Sequence, residues 1–400
     1  MPLILTINIG SSSLKCSIYS MGDTERLVIV GSMTRIGTTS GRFSVVNGQG
    51  QPVIEETLVL PDHGAAVRRL LNWIIAEAQL RHLDAVGHRV VHGGTWFTQP
   101  TPISEEMLST LTSLTPLAPE HLPHQIAAIH AIEQALPDAQ QVACFDTAFH
   151  HQMPAVAKHY ALPKRLTDAG IVRYGFHGLS YEYIVSALCQ ASGDGTANGR
   201  IIIAHLGNGA SMVAVLDGRS IDTTMGFTPT GGLVMGTRSG DLDPGVILYA
   251  IEELGLDPAT VRRLVSHQAG LLGVSGSSGD MGELLRQETV DAQAVTAIAL
   301  FCYQARKFLG SLATVLGGID TLIFTAGIGE HIPAIRARVC AGLEFLGIAL
   351  DPARNEVNAP LISRDDSPTA VRVMRTNEEL MIARHTAAAL RQRQRYVEAH

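Results

Sequence analysis

Short apolar runs separated by glycine turns dominate the first and middle parts of the chain. Residues 201–205 and 211–216 are two such runs, and they flank the turn Gly207-Asn208-Gly209. This pattern predicts a β-hairpin. Because the flanking glycines carry no Cβ, backbone N–H groups at this tip can approach a ligand closely. The turn therefore suits a phosphate, with a plain hairpin as the alternative.

A similar arrangement opens the chain, where the apolar run 3–9 enters Gly10 and three serines and leaves through residues 14–19. The likeness of the two stretches predicts two domains of common ancestry, each beginning with a phosphate-facing hairpin, unless the similarity is accidental. A nucleotide P-loop does not fit, because Leu14 precedes Lys15 and the exit from the turn is a strand.

The remaining pattern predicts alternating strands and helices. Residues 26–60 and 84–91 favour strands, as do 142–149 and 321–325, whereas helical periodicity marks 64–81, 291–316 and 378–395. We also predict that Asp243 caps a helix starting at Pro244, and that Ser180 caps a helix after His177.

Several polar residues sit at ends of predicted elements. Arg89 lies in an apolar strand, where an unpaired guanidinium is costly, so it either binds an anion or forms a structural salt bridge. Asp146 ends another strand and suits a ligand, a metal or a turn cap. The loop 222–243 carries a single cation, Arg238, and a loop of this length is typical of function.

At the start of the final helix, Thr376 and Glu379 match a capping box, which would leave Glu378 free for another role. His88 and His92 are four residues apart, but the local pattern is a strand and no third ligand accompanies them, so we do not predict zinc.

Composition narrows the function classes. A chain of 400 residues, 46% hydrophobic and 17% charged, predicts two domains with a large core. Its net charge of −7 provides no electrostatic footprint for nucleic acid. Five widely spaced cysteines indicate core residues in a reducing compartment, and no run reaches membrane-spanning length, so we expect a cytoplasmic protein without a membrane partner.

Eight motifs together carry a resemblance. In order and spacing, the segments TINIGSSSLK, VGHRVVHGG, FDTAFH, RYGFHG, AHLGNGAS, MGTRSGDLDPG, TAGIGE and TNEELMIA resemble the acetate kinase (acetokinase) family from Asn8 to Ala383. The resemblance implies an α/β fold with two ribonuclease-H-like domains around a central cleft, as in actin, sugar kinases and heat-shock chaperones. Residues 1–150 plus 384–400 would form the first domain and 151–383 the nucleotide-binding domain. It also implies a homodimer.

The implied activity is reversible transfer of the γ-phosphoryl group of ATP to acetate, giving acetyl phosphate and ADP, with Mg²⁺ and with Mn²⁺ as an alternative metal. Arg89 and Arg238 would grip the carboxylate and the phosphoryl group, and His177 would donate to the phosphoryl oxygens. Asp146, Glu378 and Asn8 would orient the metal, Asp146 also counting as catalytic. Residues implied for the acid are Arg89, Val91, His121, Phe176 and Pro229. Residues implied for the nucleotide are Asn8, Ser11, Ser13, Lys15, His205, Leu206, Gly207, Asn208, Gly209, Asp280, Met281, Gly282, Gly327, Ile328 and Gly329.

Some positions depart from the family pattern. Glu120 replaces an apolar residue beside His121, which leaves propionate or butyrate as alternative acids. Gly282 and His331 replace an arginine and an asparagine near the nucleotide, which leaves the choice of phosphoryl donor open. More distant alternatives are a sugar kinase, which would need an aspartate base, and an actin-like ATP switch, which would have no use for the two arginines.

Overall fold

A computed structural model describes residues 1–10, 12–77, 82–192 and 199–399. The chain divides into two compact units. The first comprises Met1–Ala148 and Asn377–His400, and the second comprises Phe149–Thr376. The terminal helix contacts four strands of the first unit, and the segment from Asn377 onward belongs to that unit.

The described elements are as follows. The strands are β1 Leu3–Ile9, β2 Ser13–Met21, β3 Glu25–Thr34, β4 Thr38–Asn47, β5 Pro52–Leu60, β6 Ala85–Val90, β7 Thr101–Pro102, β8 Gln140–Phe145, β9 Arg200–Leu206, β10 Ala210–Leu216, β11 Arg219–Thr223, β12 Thr321–Thr325 and β13 Ala370–Val373. The helices are α1 His63–Asn72, α2 Glu105–Ser113, α3 Leu122–Ala135, α4 Ala155–Lys158, α5 Lys164–Asp168, α6 Gly178–Ser192, α7 Pro244–Glu252, α8 Pro258–His267, α9 Gly270–Ser275, α10 Met281–Gln287, α11 Ala292–Leu316, α12 Ala326–His331, α13 Pro333–Cys340, α14 Pro352–Glu356 and α15 Glu378–Ala399.

The first unit is built on a sheet with the strand order β5-β4-β3-β2-β1-β6-β8-β7. Strand β1 is buried along almost its whole length, as expected for a strand covered on both faces. Leu5, Ile7 and Ile9 share a core with residues of α1 and α3. On the opposite face, Ile4 packs with Ala383 of α15. The terminal helix is therefore an integral layer of this unit.

The second unit has a five-stranded sheet with the order β11-β10-β9-β12-β13. Ile201 and Ile203 of β9 pack with Tyr181, Ile184 and other residues of α6. The long helix α11 contacts strands β9, β10 and β11. Asp291 caps α11, and Gly317 ends it with a φ of 69°.

The two sheets share one pattern of connections. In each sheet, three consecutive strands pair antiparallel, and two later strands then pair parallel on the other side of the first strand. The resulting strand order is β3-β2-β1-β6-β8 in the first unit and β11-β10-β9-β12-β13 in the second. Both predicted hairpins are confirmed, with Asn8 opposite Lys15 and His205 opposite Ser211. The repeat seen in the sequence is thus a repeat of topology, and the α/β class is confirmed.

Two predicted helix starts are wrong. Ser180 lies inside α6, where its hydroxyl pairs with His205 and Thr376 instead of capping the helix. At α15, the side chain of Asn377 accepts from Leu380 N at 2.9 Å, so the capping box of Thr376 and Glu379 does not form. Asparagine is as good a cap as threonine and stands one residue closer to the helix.

Other boundaries differ slightly. The periodic stretch 64–81 contains α1, which ends at Asn72 and continues as a π-helical turn, Trp73–Glu77, while residues 78–81 lie outside the described part. The predicted cap of α7 is confirmed, since Asp243 accepts from Gly245 N at 2.7 Å. Over the ranges that the structure describes, no helix combines the length and apolar character needed to cross a membrane.

Candidate functional site

In the first unit, polar side chains collect where three neighbouring strands end. Asn8 is the penultimate residue of β1, Arg89 is the penultimate residue of β6, and Asp146 directly follows β8. Strand β6 runs parallel to both β1 and β8. Their carboxyl ends therefore lie at one edge of the sheet, which is where ligands bind in open α/β sheets.

Arg89 and Asp146 form a buried ion pair. Arg89 Nη2 lies 2.6 Å from Asp146 Oδ2, and Arg89 Nε lies 3.1 Å from both carboxylate oxygens. The side chains are 14% and 1% exposed, respectively. This fork-like geometry holds the guanidinium plane in one orientation. The structural salt bridge considered from the sequence therefore exists, and it positions the arginine.

Asn8 extends this network to the terminal helix. Arg89 Nη1 donates to Asn8 Oδ1 at 3.1 Å, and because a guanidinium can only donate, this bond fixes which way the Asn8 amide points. Asn8 Nδ2 then donates to Glu378 Oε2 at 3.0 Å and to Glu379 Oε1 at 3.2 Å. Glu379, predicted to be occupied by the capping box, thus reaches the same amide as Glu378.

The charge of Arg89 is secure. Burial by itself lowers its pKa, but the negative charges of Asp146, Glu378 and Glu379 outweigh burial, and the net effect is a raised pKa. Of the five N–H donors of the guanidinium, the bonds to Asp146 and Asn8 use three. Among the described residues, the other two N–H groups have no hydrogen-bond acceptor, so the geometry leaves them available to an anion.

The structure also places the other predicted residues of the first unit. Val91 is buried, and its backbone N–H donates to Gln125 Oε1 at 3.1 Å. His121 stands at the N-terminus of α3, beside the exposed Glu120. Ser13 is half-buried and Lys15 is exposed at the start of β2. Ser11 lies outside the described residues.

Sequence reasoning missed His63, which supports the first hairpin. Its Nε2 lies 2.8 Å from Gly10 O, and its ring stacks on that of His124 at 4.3 Å between centroids. Burial lowers the pKa of His63, although the bond to Gly10 works in the opposite direction. The neutral ring can donate to Gly10. No sequence pattern around His63 indicated this contact, because its partner Gly10 is 53 residues away.

The two glutamates beside Asn8, Glu378 and Glu379, are suited to hold Mg²⁺. Throughout the described ranges, no group of three His, Cys, Asp or Glu side chains converges as a complete metal site. Magnesium in phosphoryl-transfer enzymes is usually held by one or two carboxylates, and substrate phosphates and waters complete its shell. The carboxylates of Glu378 and Glu379 beside Asn8 provide oxygen donors of this kind, whereas the carboxylate of Asp146 is engaged with Arg89.

In the second unit, two histidines lie beside the second hairpin. The rings of His177 and His205 stack with centroids 4.2 Å apart and an interplanar angle of 18°. His177 Nδ1 lies 2.8 Å from Ser211 Oγ, and His205 Nδ1 lies 2.9 Å from Ser180 Oγ. Each ring therefore has its Nδ1 hydrogen-bonded to a serine hydroxyl, which restrains the orientation of both rings. The two serines were not predicted for this role.

Arg238, in the loop 222–243, lies near His177 at the tip of the second hairpin. A Cβ built on Gly209 would lie 3.4 Å from His177 Nε2 and 3.8 Å from Arg238 Nη1. Arg238 Nη1 also donates to Pro229 O at 3.0 Å. The structure thus brings His177, Arg238 and the predicted hairpin tip together, and the glycine keeps the space between them open.

The loop also packs on the hairpin tip. Gly236 N donates to Asn208 O at 3.0 Å, and a Cβ at Gly236 would overlap Asn208 Oδ1. A Cβ at Gly279 would lie 2.8 Å from Gly236 O. The segment before α10 is therefore held against the loop. Asp280 caps α10 by accepting from Glu283 N at 2.8 Å, so it has a structural task there.

The predicted nucleotide turn is the start of α12. It follows β12, whose last residue, Thr325, pairs with His205 of β9. Ala326 has a φ of 64°, and its N–H donates to Glu330 Oε1 at 2.8 Å. A Cβ on Gly207 would lie 3.6 Å from Ala326 Cβ. Apart from its chain neighbours and the backbone of its own helix, no described atom lies within 4 Å of a Cβ built on Gly327, so this face of the turn is open.

The remaining predicted residues of this unit surround these elements. Leu206 ends β9 and is fully buried. Phe176 is 1% exposed and precedes His177, while Met281 is buried at the start of α10, beside Gly282. Ile328 and Gly329 are buried in α12.

Comparison with known proteins identifies the family. The family model described as the acetokinase family matches residues 3–384. An acetate kinase of Rhodopseudomonas palustris is 46% identical over 391 residues, covering 96% of this chain and 97% of the relative. An acetate kinase of Methylocella silvestris is 44% identical over 400 residues, covering 97% and 98%.

Solved structures agree with these matches. The acetate kinase of Porphyromonas gingivalis superposes with a TM-score of 0.86 at 36% identity, covering 98% of this chain and all of that one. A propionate kinase of Francisella tularensis gives a TM-score of 0.90 at 36% identity, covering 97% and 100%. The chain belongs to the acetokinase family and is a kinase, an enzyme that transfers phosphoryl groups.

Proposed function

We propose that this protein is an acetate kinase, which reversibly transfers the γ-phosphoryl group of ATP to acetate to give acetyl phosphate and ADP. The observation that carries the proposal is the Arg89 guanidinium in a chain of this family. Asp146 and Asn8 hold it at the end of β6, and two of its N–H groups have no acceptor among the residues that the structure describes.

The chemistry requires charge compensation more than proton transfer. A carboxylate is already ionised near neutral pH, so it needs no general base to become a nucleophile. Two anions must nevertheless meet, and catalysis of phosphoryl transfer depends mainly on positioning and electrostatic stabilisation. In our proposal Arg89 binds the carboxylate, Arg238 binds the transferring phosphoryl group, and His177 donates a hydrogen bond to the oxygens of that group.

Magnesium has a defined place in this proposal. Glu378 would hold the ion, directly or through water, with Asn8 and Asp146 as supporting groups, and Mn²⁺ could replace Mg²⁺. When bound, the metal supplies positive charge to the phosphate oxygens. Asn8 orients the Glu378 carboxylate through the bond from its Nδ2.

The hairpins and the α12 turn would bind the nucleotide. His205, Asn208 and Gly209 would bind phosphates at the second hairpin, and Asn8, Ser13 and Lys15, with Ser11, would do so at the first. Residues 327–329 and 280–282 would contact the rest of the nucleotide. The open face at Gly327 supports this assignment.

A second candidate acid is propionate, which the close structural match to a propionate kinase favours. Val91, His121, Phe176 and Pro229 would enclose the alkyl end of the acid. One additional methylene in an apolar pocket changes binding by only about 1–3 kcal/mol, so the two acids compete closely.

We also propose that the protein is a homodimer. Helix α7 carries the sequence PGVILYAIE, yet none of its residues is buried. Val246, Leu248 and Tyr249 are each more than half exposed, and Leu242 and Leu254 flank them with exposed side chains. Several large apolar side chains exposed on and beside one helix are typical of a protein interface. A second copy of this chain, meeting it through α7 on both sides, is the occupant that we propose.

A cytoplasmic location completes the proposal. Its support is the use of ATP together with five free cysteines, of which four are buried, a pattern typical of reducing compartments. Cell fractionation tests it.

A hydroxylamine trap tests the reaction. Acetate, propionate and butyrate are each assayed with Mg·ATP at equal concentrations. We expect hydroxamate to form with the highest kcat/KM for acetate, and one ADP to be released for each hydroxamate formed. A maximum for propionate would instead support the second candidate. ADP formed with a sugar, without hydroxamate, would refute a carboxylate kinase.

Arg89→Ala tests the anion site. Losing one such donor costs about 10²–10³ in turnover, and we expect a loss of that size in the same assay. The variant also removes the guanidinium that pairs with the buried Asp146 carboxylate, which costs about 3–5 kcal/mol in the free energy of unfolding, measured in urea. Arg89→Lys is the control, because it restores the charge but not the fork, and we expect it to recover stability better than turnover. Near wild-type turnover for Arg89→Ala would remove this residue from the site.

Glu378→Gln tests the metal role, with Glu379→Gln as its matched control. We expect Glu378→Gln to raise the Mg²⁺ concentration for half-maximal activity by about ten- to a hundred-fold and to lower kcat. Glu379→Gln should change both less. The reverse ranking in a Mg²⁺ titration would assign the metal to Glu379.

Leu248→Glu tests the dimer. A charge at the centre of the α7 surface should convert the dimer to a monomer in analytical ultracentrifugation. Val156→Glu is the control, since Val156 is 86% exposed on α4 and lies outside the α7 surface. A wild-type protein that sediments as a monomer, or a Leu248→Glu variant that remains a dimer, would contradict the proposal.

A further inference from the structure

His150 is a buried histidine to which neither the sequence motifs nor the proposed reaction assigns a task. It ends the short 3₁₀ turn Ala148–His150 and is 0% exposed. Its Nε2 lies 3.0 Å from Phe176 O, and its Nδ1 lies 2.9 Å from Ser220 Oγ. Both partners belong to the second unit, as His150 does.

These bonds define the protonation state of the ring. A carbonyl oxygen only accepts, so Nε2 must carry the hydrogen, and in the neutral ring Nδ1 then accepts from the Ser220 hydroxyl. Burial lowers the pKa of His150 to about 4; the bond to Phe176 O opposes this shift, and the charge of Lys158 adds to it. At neutral pH the ring is therefore an uncharged donor to Phe176 O.

The accepting carbonyl controls the conformation of the next residue. Phe176 O and His177 N belong to one planar peptide group, so fixing the oxygen restricts rotation about the N–Cα bond of His177. That rotation is unusual, since His177 has a φ of 59°, which residues other than glycine rarely adopt. The bond from His150 thus holds His177 in a conformation that it would not prefer by itself.

The ring of His150 braces the same loop by packing. Gly175 has a φ of 74°, and a Cβ there would lie 2.6 Å from Cδ2 of His150. The His150 ring also meets that of Tyr181 edge-on at 5.7 Å between centroids. The Tyr181 hydroxyl bonds to Ser211, which is also the partner of His177 Nδ1. His150 therefore reaches His177 by two routes, one through the backbone and one through Tyr181 and Ser211.

We propose that His150 is a positioning residue for catalysis, which sets the direction of the His177 imidazole by holding the Phe176–His177 peptide. This inference rests on the role of His177 in the proposed function. Since a displacement of about 1 Å in an active site can cost 10²-fold in rate, loss of the bond should lower turnover substantially without His150 touching a substrate.

His150→Phe is the direct test. It keeps an aromatic ring against Gly175 and Tyr181 and removes the donor to Phe176 O. We expect kcat in the hydroxamate assay to fall about 10- to 100-fold, with the KM values for ATP and acetate changed less than about three-fold. His150→Gln is the matched rescue variant, because its side-chain amide can donate to the same carbonyl, and it should recover most of the lost kcat.

A double-mutant cycle with His177→Ala separates positioning from a general structural role. If His150 acts through His177, His150→Phe should change kcat less than about two-fold when His177 is already alanine. An equal loss in both backgrounds would overturn the proposal. His150→Leu, which also removes the donor, replaces the phenylalanine variant in the same cycle if that variant does not fold.

The outcomes also distinguish this inference from the function on which it rests. Wild-type turnover of His177→Ala alone would refute the catalytic role of His177, and the positioning role would fall with it. A large loss for His177→Ala together with wild-type turnover of His150→Phe would refute only the positioning role.

Discussion

The ion pair between Arg89 and Asp146 is the constraint on which the first unit depends. A guanidinium in the interior of a sheet is tolerated only when a carboxylate and further acceptors surround it. Asp146, at the end of the neighbouring strand, meets that need and in doing so aims the arginine. Asn8 then transmits the orientation to the two glutamates that begin α15. In the proposed function, the contacts that stabilise the buried arginine are therefore also the contacts that orient it for an anion.

Both units place their polar groups at the same point of a common topology. In the first, Asn8, Arg89 and Asp146 stand at the carboxyl ends of β1, β6 and β8. In the second, His205 and the α12 turn stand at the ends of β9 and β12. Two neighbouring parallel strands end at the same edge of the sheet, so their terminal side chains lie close together. A glycine hairpin beside them has room for a phosphate. In the proposed function, repetition of one topological unit would thus supply two sheet edges that bind anions.

Much of this arrangement could be predicted from the sequence. The hairpins follow from local alternation of apolar runs and glycines, and the importance of Arg89 follows from the cost of burying a charge. The cap of α15 was mistaken because Thr376 and Asn377 are both good caps, and the choice depends on contacts that a sequence does not display.

His150 was missed for a different reason. Its two partners lie 26 and 70 residues away, and no periodicity connects a histidine to a distant carbonyl. Ser180 and Ser211, the partners of the two stacked histidines, share this property. Sequence patterns find residues whose burial is costly, whereas residues that orient others become visible only when the chain has folded.

The division of the chain has a consequence for its synthesis. The second unit is one continuous segment, so its core can close while the ribosome is still translating the remainder. The first unit lacks one layer until α15 emerges, because Ile4, Tyr19 and Met21 pack against that helix. Domains generally fold as units, but here the first unit can be completed only after the second has been translated. Until then, one apolar face of its central sheet lacks the helix that covers it.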